Sequence, residues 1–155
     1  MIDLADQRER MVRTQIEARG VTDARVLDAM RAVRREAFVP ERIGEFAYED
    51  SPLPIAEGQS ISQPYIVALM AQAAQVKPGD HVLEVGAGSG YAACVLAQIA
   101  DHVWTVERHG ALAESARKAL AAQGCENVEV RHADGARGWP EAAPFDAILV
   151  AAGGP

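Results

Sequence analysis

Apolar positions near the start of the chain recur at helical spacing. Met11, Val12 and Ile16 share one side of a charged stretch over 4–19, which predicts an amphipathic helix stopped by Gly20. Thr22 or Asp23 can cap a second helix, in which Val26, Leu27, Met30 and Val33 keep the same spacing. The periodicity then fails. Pro40, Gly44, Pro52, Pro54 and Gly58 make residues 35–62 an extended, loop-rich segment. That segment also carries Phe38, Phe46, Tyr48, Leu53 and Ile55, so it is expected to be ordered and packed on something.

From Pro64 the pattern becomes regular. Pro64 suits the first turn of a helix running to about Gln75, with Ile66, Val67, Leu69 and Met70 as its apolar positions. Short strands are predicted over 81–85, 102–106, 128–132 and 145–151. The last is almost wholly apolar, as in a strand covered on both faces. Helices over 91–99 and 110–123 fall between the first three strands. Strands alternating with helices imply an α/β fold: a doubly wound, Rossmann-like parallel sheet with right-handed crossovers. The N-terminal helices would form a lid or packing layer. Residues 1–63 are read as those helices and their loop, and 64–155 as the α/β core, together one domain.

Composition narrows the function. The 155 residues are 49% hydrophobic, enough to bury a core. A net charge of −7 disfavours a broad basic face for nucleic acid and contact with an anionic membrane surface. The longest uncharged run, 58–76, holds Gln59, Gln63, Pro64, Gln72 and Gln75 and is too polar to span a bilayer. The N-terminus lacks the basic and apolar regions of a signal peptide, so a cytoplasmic location is expected. Cys94 and Cys125 form no C-x-x-C and have no histidines at ligand spacing. Two reduced thiols are therefore expected, with neither a disulfide framework nor a metal site.

The segment from Val82 to Gly90 carries the candidate chemistry. Its Gly86, Gly88 and Gly90 lie between a strand and a helix, where a doubly wound sheet binds nucleotides. A dinucleotide fingerprint needs a glycine where this chain has Tyr91, which argues against a nicotinamide oxidoreductase. Glu84 precedes the turn and would repel a pyrophosphate but attract a cation. S-adenosylmethionine, with its sulfonium and ammonium groups, fits that requirement. Glu107 ends the second strand about twenty residues on, where a carboxylate can accept both ribose hydroxyls. Asp134 and Gly135 end the third strand, placed to edge the adenine.

With these residues the chain resembles the protein-L-isoaspartate O-methyltransferase family, from about residue 8 to 152. The resemblance includes the segment 35–40, Leu53-Pro54-Ile55, the block 82–91, Val106-Glu107-Arg108 and the stretch 144–148. Its most specific part is Gly58-Gln59-Ser60-Ile61-Ser62-Gln63-Pro64-Tyr65, which general methyltransferases lack. The resemblance implies a class I methyltransferase fold. It also implies methyl transfer from S-adenosylmethionine to the α-carboxyl of L-isoaspartyl residues in damaged proteins and peptides. Ser62 would be the active-site serine. Gln59, Ser60 and Ile61 would line the cofactor or the substrate entry, with Val67 following on the next helical turn. Spacing alone also allows Ser62 to be a helix N-cap ahead of Pro64.

Family members continue past Pro155 with further strands, so the C-terminal strands of the sheet are expected to be missing here. The fourth strand would then form an apolar edge, with one sheet face uncovered beside it, that pairs with another copy, aggregates, or is stabilised by a segment supplied from elsewhere. Two alternatives stay open: a cofactor-binding fragment with weak catalysis, and another class I methyltransferase.

Overall fold

Asp3 starts the first helix, its carboxylate accepting the Ala5 N–H at 3.2 Å. The computed structural model describes residues 3–151. The expected chain end at Pro155 lies outside them. Helix α1 (Leu4–Met11) runs on through a π-type turn (Val12–Ile16) and a 3-10 turn (Glu17–Arg19). Gly20 ends this rod in the left-handed conformation, φ 101°. Asp23, not Thr22, caps α2 (Ala24–Ala32), accepting the Arg25 N–H at 2.9 Å.

The predicted open segment is ordered. It holds two 3-10 turns (Arg35–Phe38 and Glu41–Phe46) and an antiparallel hairpin of β1 (Leu53–Pro54) and β2 (Ser60–Ile61). Two-residue strands carry no readable alternation, so the hairpin left no trace in the hydrophobic pattern. Tyr48 ties the segment together. Its hydroxyl accepts from the Arg8 guanidinium and the Arg35 N–H, each at 3.1 Å, and donates to Glu36. The fully buried Arg35 donates through Nε to the Ala47 carbonyl at 2.6 Å. Its guanidinium lies 5.0 Å from the Tyr91 ring centre.

The α/β core follows with α3 (Pro64–Ala73), β3 (His81–Val85), α4 (Tyr91–Ala97), β4 (His102–Glu107), α5 (Gly110–Ala122), β5 (Val128–His132) and β6 (Ala147–Val150). The sheet order is β5-β4-β3-β6, all parallel, as the doubly wound reading requires. One face presents Val82, Glu84, Val103, Thr105, Ala147 and Leu149, all buried. Its apolar residues join those of the N-terminal helices in one continuous core. On the other face Leu83, Val106 and Trp139 form a smaller cluster with Trp104 and Phe145 packed against it.

Three expectations need correction. Strand β6 is shorter than the predicted 145–151, although the flanking Asp146 and Ala151 N–H groups still donate to the His81 and Val85 carbonyls of β3, each at 2.8 Å. It is also covered on one face only: Ile148 and Val150 are 60% and 55% exposed. Cys94 and Cys125, expected as free thiols, are paired as a disulfide with Cα atoms 6.1 Å apart. Their separation in sequence hides that the turn after α5 comes beside α4.

Among the described residues no helix is long and apolar enough to cross a membrane, and no His, Cys, Asp and Glu cluster could hold a metal.

Candidate functional site

The C-terminal ends of β3, β4 and β5 open onto a cleft of about 740 Å³, within the usual range for small-molecule sites. Its floor is the glycine turn. Gly86, Gly88 and Gly90 all have positive φ (96°, 54° and 94°), a conformation that residues with a Cβ rarely adopt. The turn is stitched to the next strand: the Gly86 and Ala87 N–H groups both donate to the Val106 carbonyl, at 2.8 and 3.2 Å.

Glu107 completes that stitching. One carboxylate oxygen accepts the Gly88 N–H and the other the His109 N–H, each at 2.9 Å. Each oxygen keeps capacity for a further hydrogen bond. The side chain is therefore fixed before any ligand arrives.

Glu84 is the second carboxylate of this wall and is 1% exposed. Thr105 donates to it at 2.6 Å. Burial raises its pKa to about 8, the neighbouring Glu107 charge adds to the rise, and the Thr105 hydrogen bond offsets part of it. Without a cation beside it, Glu84 keeps its proton at neutral pH. A cationic group in the cleft would favour the ionised form.

Beyond β5, Asp134 accepts the Ala136 N–H at 2.9 Å and caps a 3-10 turn (Gly135–Arg137). Gly135 packs so closely on β3 that a Cβ there would lie 2.5 Å from Val85 Cγ1.

The opposite wall comes from the hairpin and the start of α3. Gln59, Ser60, Ile61, Ser62 and Val67 all line the cleft. Ile61 is held by pairing with Leu53. Gln63, not Ser62, occupies the cap position of α3, and no side chain makes a cap bond there. Ser62 is thus not the helix cap that spacing allowed. Among the described residues nothing hydrogen-bonds its hydroxyl, which remains available to a ligand.

Every residue singled out from the sequence lines this cleft except Gly90. Gly90 is buried behind it, where a Cβ would press on Leu120 Cγ at 3.3 Å and Ala116 at 3.4 Å. Sequence reasoning named Tyr91 and Arg108 only as parts of motifs, and missed His109 and the partner hydroxyl of Thr105. Arg108 and His109 directly follow Glu107 and could have been included on that ground. Thr105 faces Glu84 only through the β3–β4 register, which no local pattern announces.

The strand order, the glycine turn and the cleft at the strand ends define the class I methyltransferase fold. Residues 6–155 match the model of the protein-L-isoaspartate(D-aspartate) O-methyltransferase family, and the chain belongs to that family. A protein-L-isoaspartate O-methyltransferase 1 of Rhodopseudomonas palustris (strain HaA2) is 67% identical over 97% of this chain and 62% of its own length. One from Methylorubrum extorquens (strain PA1) is 63% identical over 98% of this chain and 66% of its own. The chain thus spans about two thirds of the length of these relatives.

Solved structures agree. A protein-L-isoaspartate O-methyltransferase superposes with a TM-score of 0.84 at 31% identity, covering 94% of this chain and 48% of the other. A Plasmodium falciparum structure, titled a putative protein-L-isoaspartate O-methyltransferase in complex with S-adenosyl-L-homocysteine, gives 0.79 at 25% identity, covering 94% and 73%.

Proposed function

We propose that this protein transfers the methyl group of S-adenosylmethionine to the α-carboxyl of L-isoaspartyl residues in damaged proteins and peptides. The observation that carries this reading is the meeting, in one cleft, of an unengaged serine hydroxyl with two carboxylates and a glycine turn at the strand ends. The residues suit the cofactor. Glu107 presents two held oxygens to a ribose diol. Glu84 offers a buried carboxyl to the cationic end. Asp134 and Gly135 edge the adenine, while Gln59, Ser60, Ile61 and Val67 close the far side. The family membership and the S-adenosyl-L-homocysteine in the Plasmodium falciparum structure support the same assignment.

S-adenosylmethionine supplies an electrophilic methyl group. A substrate carboxylate is already ionised at neutral pH, so no general base is required of the protein. The protein's part is alignment and removal of water from that carboxylate. Ser62 donates a hydrogen bond that holds it in line and does not act as a covalent nucleophile.

The reading places this chemistry in the cytoplasm. It also has the backbone edge of β6, last in the strand order among the described residues, pair with a second copy of the chain. Incubation with a peptide containing one isoaspartyl residue, and with its aspartyl twin, tests the activity. Methyl ester should form on the isoaspartyl peptide alone. No ester on either peptide, or equal ester on both, would overturn the proposal.

A further inference from the structure

With no partner for its hydroxyl among the described residues, Ser62 is positioned by the backbone that carries it. That backbone is gripped on both sides. On one side Ile61 pairs with Leu53 in the hairpin. On the other, the Gln63 side-chain amide donates to Asp50 Oδ1 at 2.6 Å.

Asp50 lies outside the cleft and in none of the motifs that point to the cofactor or to the serine. Its carboxylate has a second partner. Arg19 donates through one guanidinium nitrogen to the same Oδ1 at 2.9 Å and pairs through another with Oδ2. The same guanidinium lies 5.6 Å from the Tyr65 ring centre. Arg19 is the last residue of the N-terminal helical rod, just before Gly20. A single carboxylate therefore connects the end of that rod to the residues that follow Ser62.

The hydrogen bonds from Arg19 and Gln63 hold the Asp50 carboxyl below the usual carboxylate range, so it is charged at neutral pH. Arg19 and Asp50 are both exposed, and such ion pairs add little to stability. The consequence of this one is geometric.

We infer that Asp50, held by Arg19, is a positioning residue for methyl transfer: by pinning Gln63 it fixes the Ser62 hydroxyl at the cleft. The inference rests on the role given to Ser62 above. It separates Asp50 from the cofactor wall, to which none of its hydrogen bonds or ion pairs among the described residues leads.

The test is a cycle of Asp50→Ala, Ser62→Ala and the double variant, assayed on an isoaspartyl peptide. Asp50→Ala should lower kcat about tenfold, the scale of a modest misalignment, with S-adenosylhomocysteine affinity within about twofold. Asp50→Asn, which can still accept from Gln63, should recover part of the loss. The double variant should be no slower than Ser62→Ala, because Asp50 acts through that hydroxyl. Losses that multiply, or unchanged turnover in Asp50→Ala, would overturn the inference.

Backbone 15N order parameters give a readout independent of activity. Asp50→Ala should lower them at Ser62 and Gln63 and leave residues 86–90 unchanged. No change at Ser62 and Gln63 would overturn the clamp itself. An unaltered protein that leaves the peptide unmethylated would instead overturn the functional reading, and with it the catalytic purpose of the clamp.

Discussion

The two walls of the cleft are built on different principles. On the strand-end wall nearly every polar group is already engaged: Glu107 holds two backbone N–H groups, Glu84 accepts from Thr105, and Asp134 caps a turn. On the hairpin wall the group proposed to do the chemistry, the Ser62 hydroxyl, has no partner among the described residues. Its support is indirect, through Gln63 and Asp50. The first wall suits a ligand that never varies, whose donors and charges can be matched in advance. The second suits the proposed substrate, a peptide whose flanking residues differ from one damaged protein to the next, and keeps one donor free for the feature such peptides share.

The contrast can be broken at several points. The largest effect concerns Glu84. The folded protein keeps its proton up to about pH 8, while the unfolded chain loses it near the ordinary 4.5. Between those values the folded state binds one more proton. Stability from this group is therefore full below the lower value and falls as pH rises, by about 1.4 kcal/mol per pH unit. Glu84→Gln should flatten that decline in urea titrations between pH 5 and 8. An unchanged slope would mean that Glu84 is ionised in the fold and that the strand-end wall is not neutral when empty.

Next in size is Ser62→Ala. Loss of a hydrogen bond to a charged substrate group should slow methyl transfer about 10- to 100-fold. S-adenosylhomocysteine affinity should stay within about twofold, because the lost hydrogen bond is to the substrate and not to the cofactor. Equal losses in both measurements would erase the distinction between the walls.

Gly135→Ala is expected to have a smaller effect. Its Cβ would enter the space of Val85, and relieving that overlap should cost about 1–2 kcal/mol of stability. Cofactor affinity should fall with it, because Gly135 and Val85 both line the cleft. Preserved affinity in a destabilised variant would show that this corner does not shape the pocket.

The sheet was legible in the sequence because its signals are local. Residues 81–85 and 128–132 form strands as the pattern predicts, and the glycines mark the turn that bends the chain over β4. What stayed hidden depends on register or on distant contacts. The Thr105–Glu84 bond needs the pairing of β3 with β4. The Arg19–Asp50 pair needs the N-terminal rod to end beside the segment that leads into α3. The hairpin over 53–61 is too short to alternate.

Gly90 is instructive in another way. Three glycines in one turn read alike in sequence, yet two face the cleft and the third makes room for Leu120 and Ala116 on α5.

The strand-end wall is proposed as a preformed S-adenosyl site with Glu107 as its anchor. Calorimetric titration of S-adenosylhomocysteine into the protein and into Glu107→Ala tests it most directly. One binding site per chain is expected, weakened by about 1–3 kcal/mol in the variant through loss of charge-assisted hydrogen bonds. No binding to the unaltered protein, or equal affinity in the two proteins, would contradict the claim.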